Sequence, residues 1–193
     1  MSIRYRMIKR QESTKLERQD WINAGLTVLA ESGIEAVKVE PLAKLIKVTK
    51  GSFYWHFKNR DDLLEAILQE WVGCETNSLI EKVEAMGGDA TTKLLHLFEL
   101  AIQIDGRLEN AIRAWATKST KVAEVMVQVD QSRLDYTRNL FLEVGFTPLE
   151  ATVRAQMAYY SLVGEFTVGI RPNQAERLAE VRIEHAILTR RDK

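Results

Sequence analysis

The apolar residues of this 193-residue chain recur at helical spacing, and this periodicity limits the folds that are open to it. Ile22, Leu26 and Leu29, for example, stand at i, i+4 and i+7. Gly33 follows at the place where a helix C-cap is expected. No segment shows sustained alternation rich in β-branched residues, so no strand is predicted. We therefore predict an all-α chain of about nine helices.

Glycine, proline and capping residues divide this periodic pattern into elements. Helices are predicted at 15–32, 39–46, 50–57, 59–86, 91–104, 108–118, 120–144, 148–168 and 174–190. Thr49 and Asn59 are predicted to cap the third and fourth helices. Thr147 and Glu150 form the pattern of a capping box around Pro148. A flexible basic arm is predicted before the first helix, to about Thr14.

The composition is that of a globular protein, with 46% hydrophobic and 28% charged residues. No run approaches the roughly 18 apolar residues of a membrane span, and the first residues lack the apolar stretch of a signal peptide. The one cysteine, Cys74, has no internal disulfide partner. These features predict a protein of a reducing cytoplasm that does not enter a membrane.

The zero net charge of the chain conceals an asymmetry. Residues 1–60 hold 12 Lys and Arg against 6 Asp and Glu, and residues 61–193 hold 15 against 21. A front of net charge +6 indicates a polyanionic partner, although chance clustering on solvated faces is an equally good explanation of charge alone. The length of the chain suits one or two small domains, and we predict two, at 1–60 and 61–193.

The turn at Lys47-Val48 separates two short helices, which is the layout of a helix-turn-helix. The second helix of such a motif lies in the major groove of DNA. Phe53 and Phe57, at i and i+4, are predicted to anchor that helix in the core. The side chains left for its exposed side are Lys50, Ser52, Tyr54, Trp55 and His56.

These exposed residue types suit contact with DNA. Tyr54 and His56 can donate to phosphate oxygens, and Lys50 adds positive charge. Trp55 offers an apolar face to a thymine methyl group. Gly51 lets backbone N–H groups approach a phosphate closely. The alternative is that Tyr54 and Trp55 are core aromatics and that His56 is an ordinary surface histidine.

Residues 21–68 resemble the DNA-binding domain of the tetracycline-repressor (TetR) family of bacterial transcriptional regulators. The likeness lies in AESGIEA, in LA before the turn and in VTKGSFYWHFKNRDDLL. It implies a homodimer that binds palindromic operator DNA and is released by a small molecule. The residues that match the family's DNA contacts are Thr49, Lys50, Ser52, Tyr54, Trp55 and His56, with Lys58 and Arg60 as backbone contacts.

Two positions depart from the family pattern. Lys47 stands where the family has glycine in the turn, and a positive φ there would cost a lysine on the order of 1 kcal/mol. Its charge would lie close to the DNA, so Lys47 is also a candidate contact. Val39 replaces a frequent threonine near the start of the second helix, which removes one cap or phosphate contact.

The resemblance implies that residues 61–193 form a helical ligand-binding and dimerisation domain. The candidate ligand-binding residues are Trp71, His96, Phe98, Trp115 and Met126. The candidate dimer residues, on the last two helices, are Met157, Tyr160, Val163, Gly164 and Ile183. Core packing is an alternative for both sets. Apolar candidates predominate in the first set, so a small hydrophobic or aromatic effector is expected.

Two other function classes remain as alternatives. A small all-helical enzyme is the weaker one, because the three histidines are far apart and no catalytic, P-loop or metal-ligand motif is present. No cofactor and no metal are therefore expected. A helical adaptor or ligand-binding protein without an operator would leave the basic front and the segment TKGSFYWHFK without a role.

Overall fold

The computed structural model describes residues 17–73, 77–169 and 173–191. These residues form ten α-helices and one 3-10 turn, and they contain no strand. The helices are α1 (Arg18–Ser32), α2 (Val39–Leu45), α3 (Lys50–Phe53), α4 (Arg60–Val72), α5 (Ser78–Met86), α6 (Ala90–Ala101), α7 (Gly106–Ala116), α8 (Thr120–Val144), α9 (Pro148–Val168) and α10 (Gln174–Thr189). The 3-10 turn is Ile34–Ala36. The predicted all-α class is confirmed. The basic arm and Cys74 lie outside the described residues.

About nine helices were predicted and the described residues form ten, because a single helix was expected over 59–86. The structure has α4 and α5 there, ending at Val72 and beginning at Ser78. Gly73 after the first and Asn77 before the second both have helical dihedral angles and lie in π-helical geometry. The hydrophobic spacing continues across this segment, which is why periodicity alone predicts one helix.

The described residues form two compact units. The first holds residues 17–73 and 107–123, and the second holds residues 77–106, 124–169 and 173–191. Helix α8 begins in the first unit and continues into the second. The first unit thus includes α4 and α7 beside the three N-terminal helices. The domain boundary predicted after residue 60 divides the chain by function and not by compactness. It stays a prediction.

Aromatic residues form the core of the first unit around α3. Phe53 is fully buried, and its ring lies 5.2 Å from the ring of Trp21 in an edge-on contact. Phe57 stacks on Phe53 at 5.4 Å, and the guanidinium of Arg18 lies 4.7 Å from the Phe57 ring centroid. Helix α3 has only four residues, so these contacts must stabilise it.

The second unit has a separate apolar core, to which α5, α6, α8, α9 and α10 contribute. Its fully buried residues include Val83, Leu94 and Phe141. The capping box predicted for α9 is present: Thr147 accepts from the Glu150 N–H, and the Glu150 carboxylate accepts from the Thr147 N–H. The Thr147 hydroxyl also donates to the Glu150 carboxylate, at 2.6 Å, and this bond and the N–H bond lower the pKa of Glu150.

The turn between α2 and α3 is a Schellman motif with a lysine at its left-handed position. Lys47 has φ 60°, and its N–H donates to the Lys44 carbonyl at 3.2 Å. The Val48 N–H donates to the Ala43 carbonyl at 2.9 Å. Glycine is the usual residue at the left-handed position of such a turn. The positive φ considered for Lys47 is therefore present.

Replacing Lys47 with glycine should stabilise the protein. The Lys47→Gly variant should gain about 1 kcal/mol in the free energy of unfolding, because glycine adopts a positive φ without a Cβ clash. Urea denaturation followed by circular dichroism measures this. Lys44→Gly is the matched control, and it should lose about 1 kcal/mol because Lys44 is an exposed residue inside α2. Equal destabilisation by both substitutions would contradict the assignment of strain to Lys47.

Candidate nucleic-acid interface

The recognition segment, residues 49–58, turns its large residues in two directions. Phe53 and Phe57 are buried, whereas Tyr54 is 57% and Trp55 87% exposed. Hydrogen bonds from the His56 and Phe57 N–H groups to the Phe53 carbonyl add one more turn beyond the end of α3. Tyr54 and Trp55 are therefore not core residues, and the alternative that placed them in the core is wrong.

The smaller residues of the segment lie on or beside the exposed side. Thr49, Gly51 and Lys58 are exposed, and Ser52 and His56 are half-buried. Thr49 occupies the N-cap position of α3, but its side chain makes no capping hydrogen bond. A Cβ added to Gly51 would meet only the Thr49 hydroxyl, at 3.7 Å. The fold of the described chain therefore leaves room for a side chain at position 51.

Lys50 has a partner that the sequence analysis missed. Its Nζ donates to Glu40 Oε1 at 2.7 Å, which joins α2 to α3 on the exposed side. The hydrogen bond and charge of Lys50 lower the pKa of Glu40, and Glu40 raises the pKa of Lys50 in the same way. Ten residues separate the two in sequence, so no helical spacing relates them. The available signal is that Glu40 is the only acid among residues 36–58, which include five lysines.

Arg60 is predicted to contact the DNA backbone, but its guanidinium binds two carbonyl groups of this chain. Its Nε donates to the Val37 carbonyl at 2.6 Å and its Nη2 to the Ile34 carbonyl at 2.7 Å. The half-buried guanidinium thus joins the first turn of α4 to the segment between α1 and α2. Lys58 remains exposed. Asn59 caps α4 as predicted, by accepting from the Asp62 N–H at 2.9 Å.

The five ligand-binding candidates divide between the two units. Trp71 is buried and Trp115 half-buried in the first unit. In the second unit Met126 is buried, and Phe98 is a core residue whose ring meets that of His185 edge-on at 6.1 Å. His96 is half-buried there, and its Nδ1 is buried with no hydrogen-bond partner among the described residues. A ligand contact remains a prediction for each of them.

Trp115 lines a cavity of about 380 Å³ within the first unit. Leu64 and Leu68 of α4 and Val122 of α8 add apolar walls, and Arg60 is also at the wall. Two ion pairs involve charged residues of the lining: Lys118 with Glu35, at 3.7 Å, and Lys121 with Glu65. The cavity is amphipathic, with an apolar wall beside paired charges.

Helices α9 and α10 expose apolar side chains. Among the predicted dimer residues Met157, Tyr160 and Ile183 are exposed, and Val163 and Gly164 are half-buried. Further exposed apolar residues of these helices are Leu149, Val153, Val168 and Ile187. On α9 the residues 149, 153, 157, 160, 164 and 168 follow one another at intervals of three or four, so they share one helix face.

Comparison with known proteins places the N-terminal helices in a family. Residues 22–67 match the model of the bacterial regulatory proteins of the tetR family. The tetracycline repressor protein of class G from Vibrio anguillarum is 41% identical over 54 residues, 28% of this chain and 26% of that protein. The regulator AcrR from Shigella flexneri is 30% identical over 69 residues, 36% of this chain and 31% of that protein. The chain thus aligns with about a quarter to a third of these relatives.

Solved structures show that the likeness in fold extends over most of the chain. SCO4454, a TetR-family transcriptional regulator from Streptomyces coelicolor, covers 89% of this chain and 87% of its own, with a TM-score of 0.76 and 14% identity. A TetR-family regulator from Rhodococcus sp. covers 90% and 98%, with a TM-score of 0.68 and 18% identity.

The motif of the N-terminal helices is that of a helix-turn-helix domain. The chain carries the N-terminal domain of the TetR family and has the fold of TetR-family transcriptional regulators, as the sequence resemblance predicted. Within the described residues, no helix is long and apolar enough to cross a membrane, and no group of three His, Cys, Asp or Glu side chains is placed to hold a metal ion.

The role of Arg60 can be separated from that of Lys58 by stability. Arg60→Gln should lower the free energy of unfolding by about 2–3 kcal/mol, because the carbonyls of Ile34 and Val37 lose a charged donor. Lys58→Gln, at an exposed neighbour, should change it by less than about 0.5 kcal/mol. Chemical denaturation of both variants at equal ionic strength checks this. Equal stability of the two variants would show that the two carbonyls gain nothing from Arg60.

Proposed function

We propose that this protein is a cytoplasmic, homodimeric regulator of bacterial transcription that represses from a palindromic operator until a small hydrophobic or aromatic effector releases it. The observation that carries the proposal is the arrangement of the recognition segment. Phe53 and Phe57 anchor it, whereas Tyr54 is 57% and Trp55 87% exposed, with only an edge-on contact between the Tyr54 and Phe53 rings at 5.3 Å. Large exposed aromatics beside lysines suit a surface that meets DNA.

The exposed residues take different parts in DNA binding. Tyr54 and His56 donate to phosphate oxygens, and Lys47 and Lys58 add charge along the backbone. Trp55 contacts a thymine methyl group, and Thr49, Gly51 and Ser52 lie close enough to the duplex to contribute hydrogen bonds. Arg60 has an indirect role, because it stabilises the start of α4.

A second copy of the chain is the proposed partner of the apolar faces of α9 and α10. The exposed row from Leu149 to Val168, with Ile183 and Ile187, would be costly in water and would form the seam of a four-helix bundle between two copies. Dimerisation also supplies two recognition segments, which a palindromic operator requires.

The proposed response to an effector uses the cavity beside α4. Trp115, Leu64 and Leu68 offer an apolar wall to an aromatic or hydrophobic molecule. Helix α4 begins directly after the recognition segment, so a ligand that prefers one position of α4 changes the affinity for the operator. Such coupling is typically about 1–3 kcal/mol. The candidates in the second unit, His96, Phe98 and Met126, are the alternative place for the effector.

DNA binding should depend steeply on salt. With the DNA upstream of the protein's own gene as probe, log K should fall with log salt by about 0.9 per contacted phosphate. Lys58→Ala should reduce that slope by about one, because one phosphate is no longer neutralised. Tyr54→Phe should weaken binding about tenfold, because the hydroxyl no longer donates to a charged oxygen. Fluorescence anisotropy from low to physiological salt measures both effects.

Lys82→Ala is the matched control for the removal of one charge, because Lys82 is an exposed residue of α5. It should leave the slope unchanged. A protein that binds none of its flanking DNA would favour the helical adaptor, and catalytic turnover would favour the enzyme.

The apolar seam can be tested by one charge. Ile183→Asp should convert the dimer to a monomer, because a carboxylate in the seam would lose its hydration without a partner. Val127→Asp is the control, since Val127 is an exposed apolar residue of α8 outside this seam. Sedimentation equilibrium gives the mass of each variant. A dimer that persists with Ile183→Asp and Met157→Asp together would place the interface elsewhere.

A further inference from the structure

The pair formed by Glu40 and Lys50 is poorly suited to a purely structural role. The two side chains are 64% and 52% exposed, and exposed ion pairs contribute little to stability. Buried residues already hold the two helices, with Leu42 in α2 and Phe53 in α3 fully buried. A surface meant only for phosphate would also be better without an acid, because Glu40 cancels one of the five lysine charges of residues 36–58.

The chemistry of the pair matches one kind of base pair. A lysine ammonium has three donors, so one N–H can remain on Glu40 while the others face a second acceptor. In the major groove, guanine presents the acceptors O6 and N7, and cytosine presents the N4 amino donor. Lysine commonly donates to the guanine acceptors, and a carboxylate commonly accepts from the cytosine amino group. The Lys50 donor and the Glu40 acceptor lie 2.7 Å apart on this protein. On a G·C pair the guanine acceptors and the cytosine donor likewise lie next to each other.

We propose that Lys50 and Glu40 together read one G·C base pair in each half of the operator, with Lys50 donating to guanine and Glu40 accepting from the cytosine amino group. The inference rests on the proposed DNA-binding function. Glu40 has two tasks in it. It holds the flexible lysine away from the phosphates, and it excludes base pairs that present an acceptor where cytosine presents a donor.

The two residues should therefore affect specificity and affinity differently. Glu40→Gln should tighten binding to unrelated DNA several-fold, because a negative charge is removed and Lys50 is free to reach a phosphate. It should also reduce the preference for G·C at one position of each half-site. Lys50→Ala should remove that preference and weaken operator binding about tenfold or more, since Glu40 then faces the duplex unpaired.

The experiment selects bound duplexes from a randomised pool of double-stranded DNA, first with the wild-type protein and then with each variant. The wild type should show one symmetric G·C position whose replacement by A·T lowers affinity about tenfold or more, and both variants should flatten that position alone. Glu31→Gln is the matched control, because it removes an exposed acid of α1 and should keep the wild-type profile. Unfolding midpoints equal to that of the control confirm that the variants fold.

The outcomes separate this inference from the function on which it rests. Tighter binding of Glu40→Gln to all sequences with an unchanged base profile would overturn the inference, because Glu40 would then only repel phosphate. Profiles unchanged in both variants would likewise overturn it and leave a surface ion pair, with DNA binding intact. A wild-type protein that selects no duplex would overturn the proposed function itself, and this inference with it.

Discussion

The edge-on contact between Phe53 and Trp21 is the interaction on which the recognition segment depends. A helix of four residues cannot fold by its own hydrogen bonds, since helix nucleation costs more than so few bonds return. Burial of Phe53, with Phe57 stacked beside it, therefore determines both the presence of α3 and its rotation. Tyr54 and Trp55 lie in the turn that follows α3 and is hydrogen-bonded to the Ser52 and Phe53 carbonyls, so the same burial turns them to solvent. The anchoring of the segment and the exposure of its other aromatic residues therefore both follow from the packing of Phe53 against Trp21.

The next constraint is the junction that joins this segment to α4. Asn59 caps the helix, and Arg60 binds two carbonyls of the segment between α1 and α2. The helix that follows the recognition segment is thus held at its first turn by groups from earlier in the chain. Under the proposed function, a displacement of α4 would be transmitted to the recognition segment through this junction rather than absorbed by a flexible linker.

Local rules predict this structure well where the determining groups are close in sequence. The fold class, the cap by Asn59, the capping box at Thr147 and the two-sided recognition segment all follow from spacings of about four residues or fewer. The division into α4 and α5 is missed because the hydrophobic period is the same on both sides of it. The partners of Arg60 and Lys50 lie at least 23 and ten residues away, so only the folded chain shows that one basic residue is directed inward and the other paired.

The charged residues beside the recognition segment follow a consistent pattern. Lys47 is retained at a left-handed position where glycine would cost less, so a lysine charge is kept at the expense of strain. Glu40, in contrast, reduces the positive charge beside α3. If affinity for phosphate alone determined this surface, the lysine at position 47 would be favourable and the glutamate at position 40 would not. A surface that must both attract DNA and choose among sequences needs both, because charge raises binding to all DNA while a paired acid penalises the wrong bases.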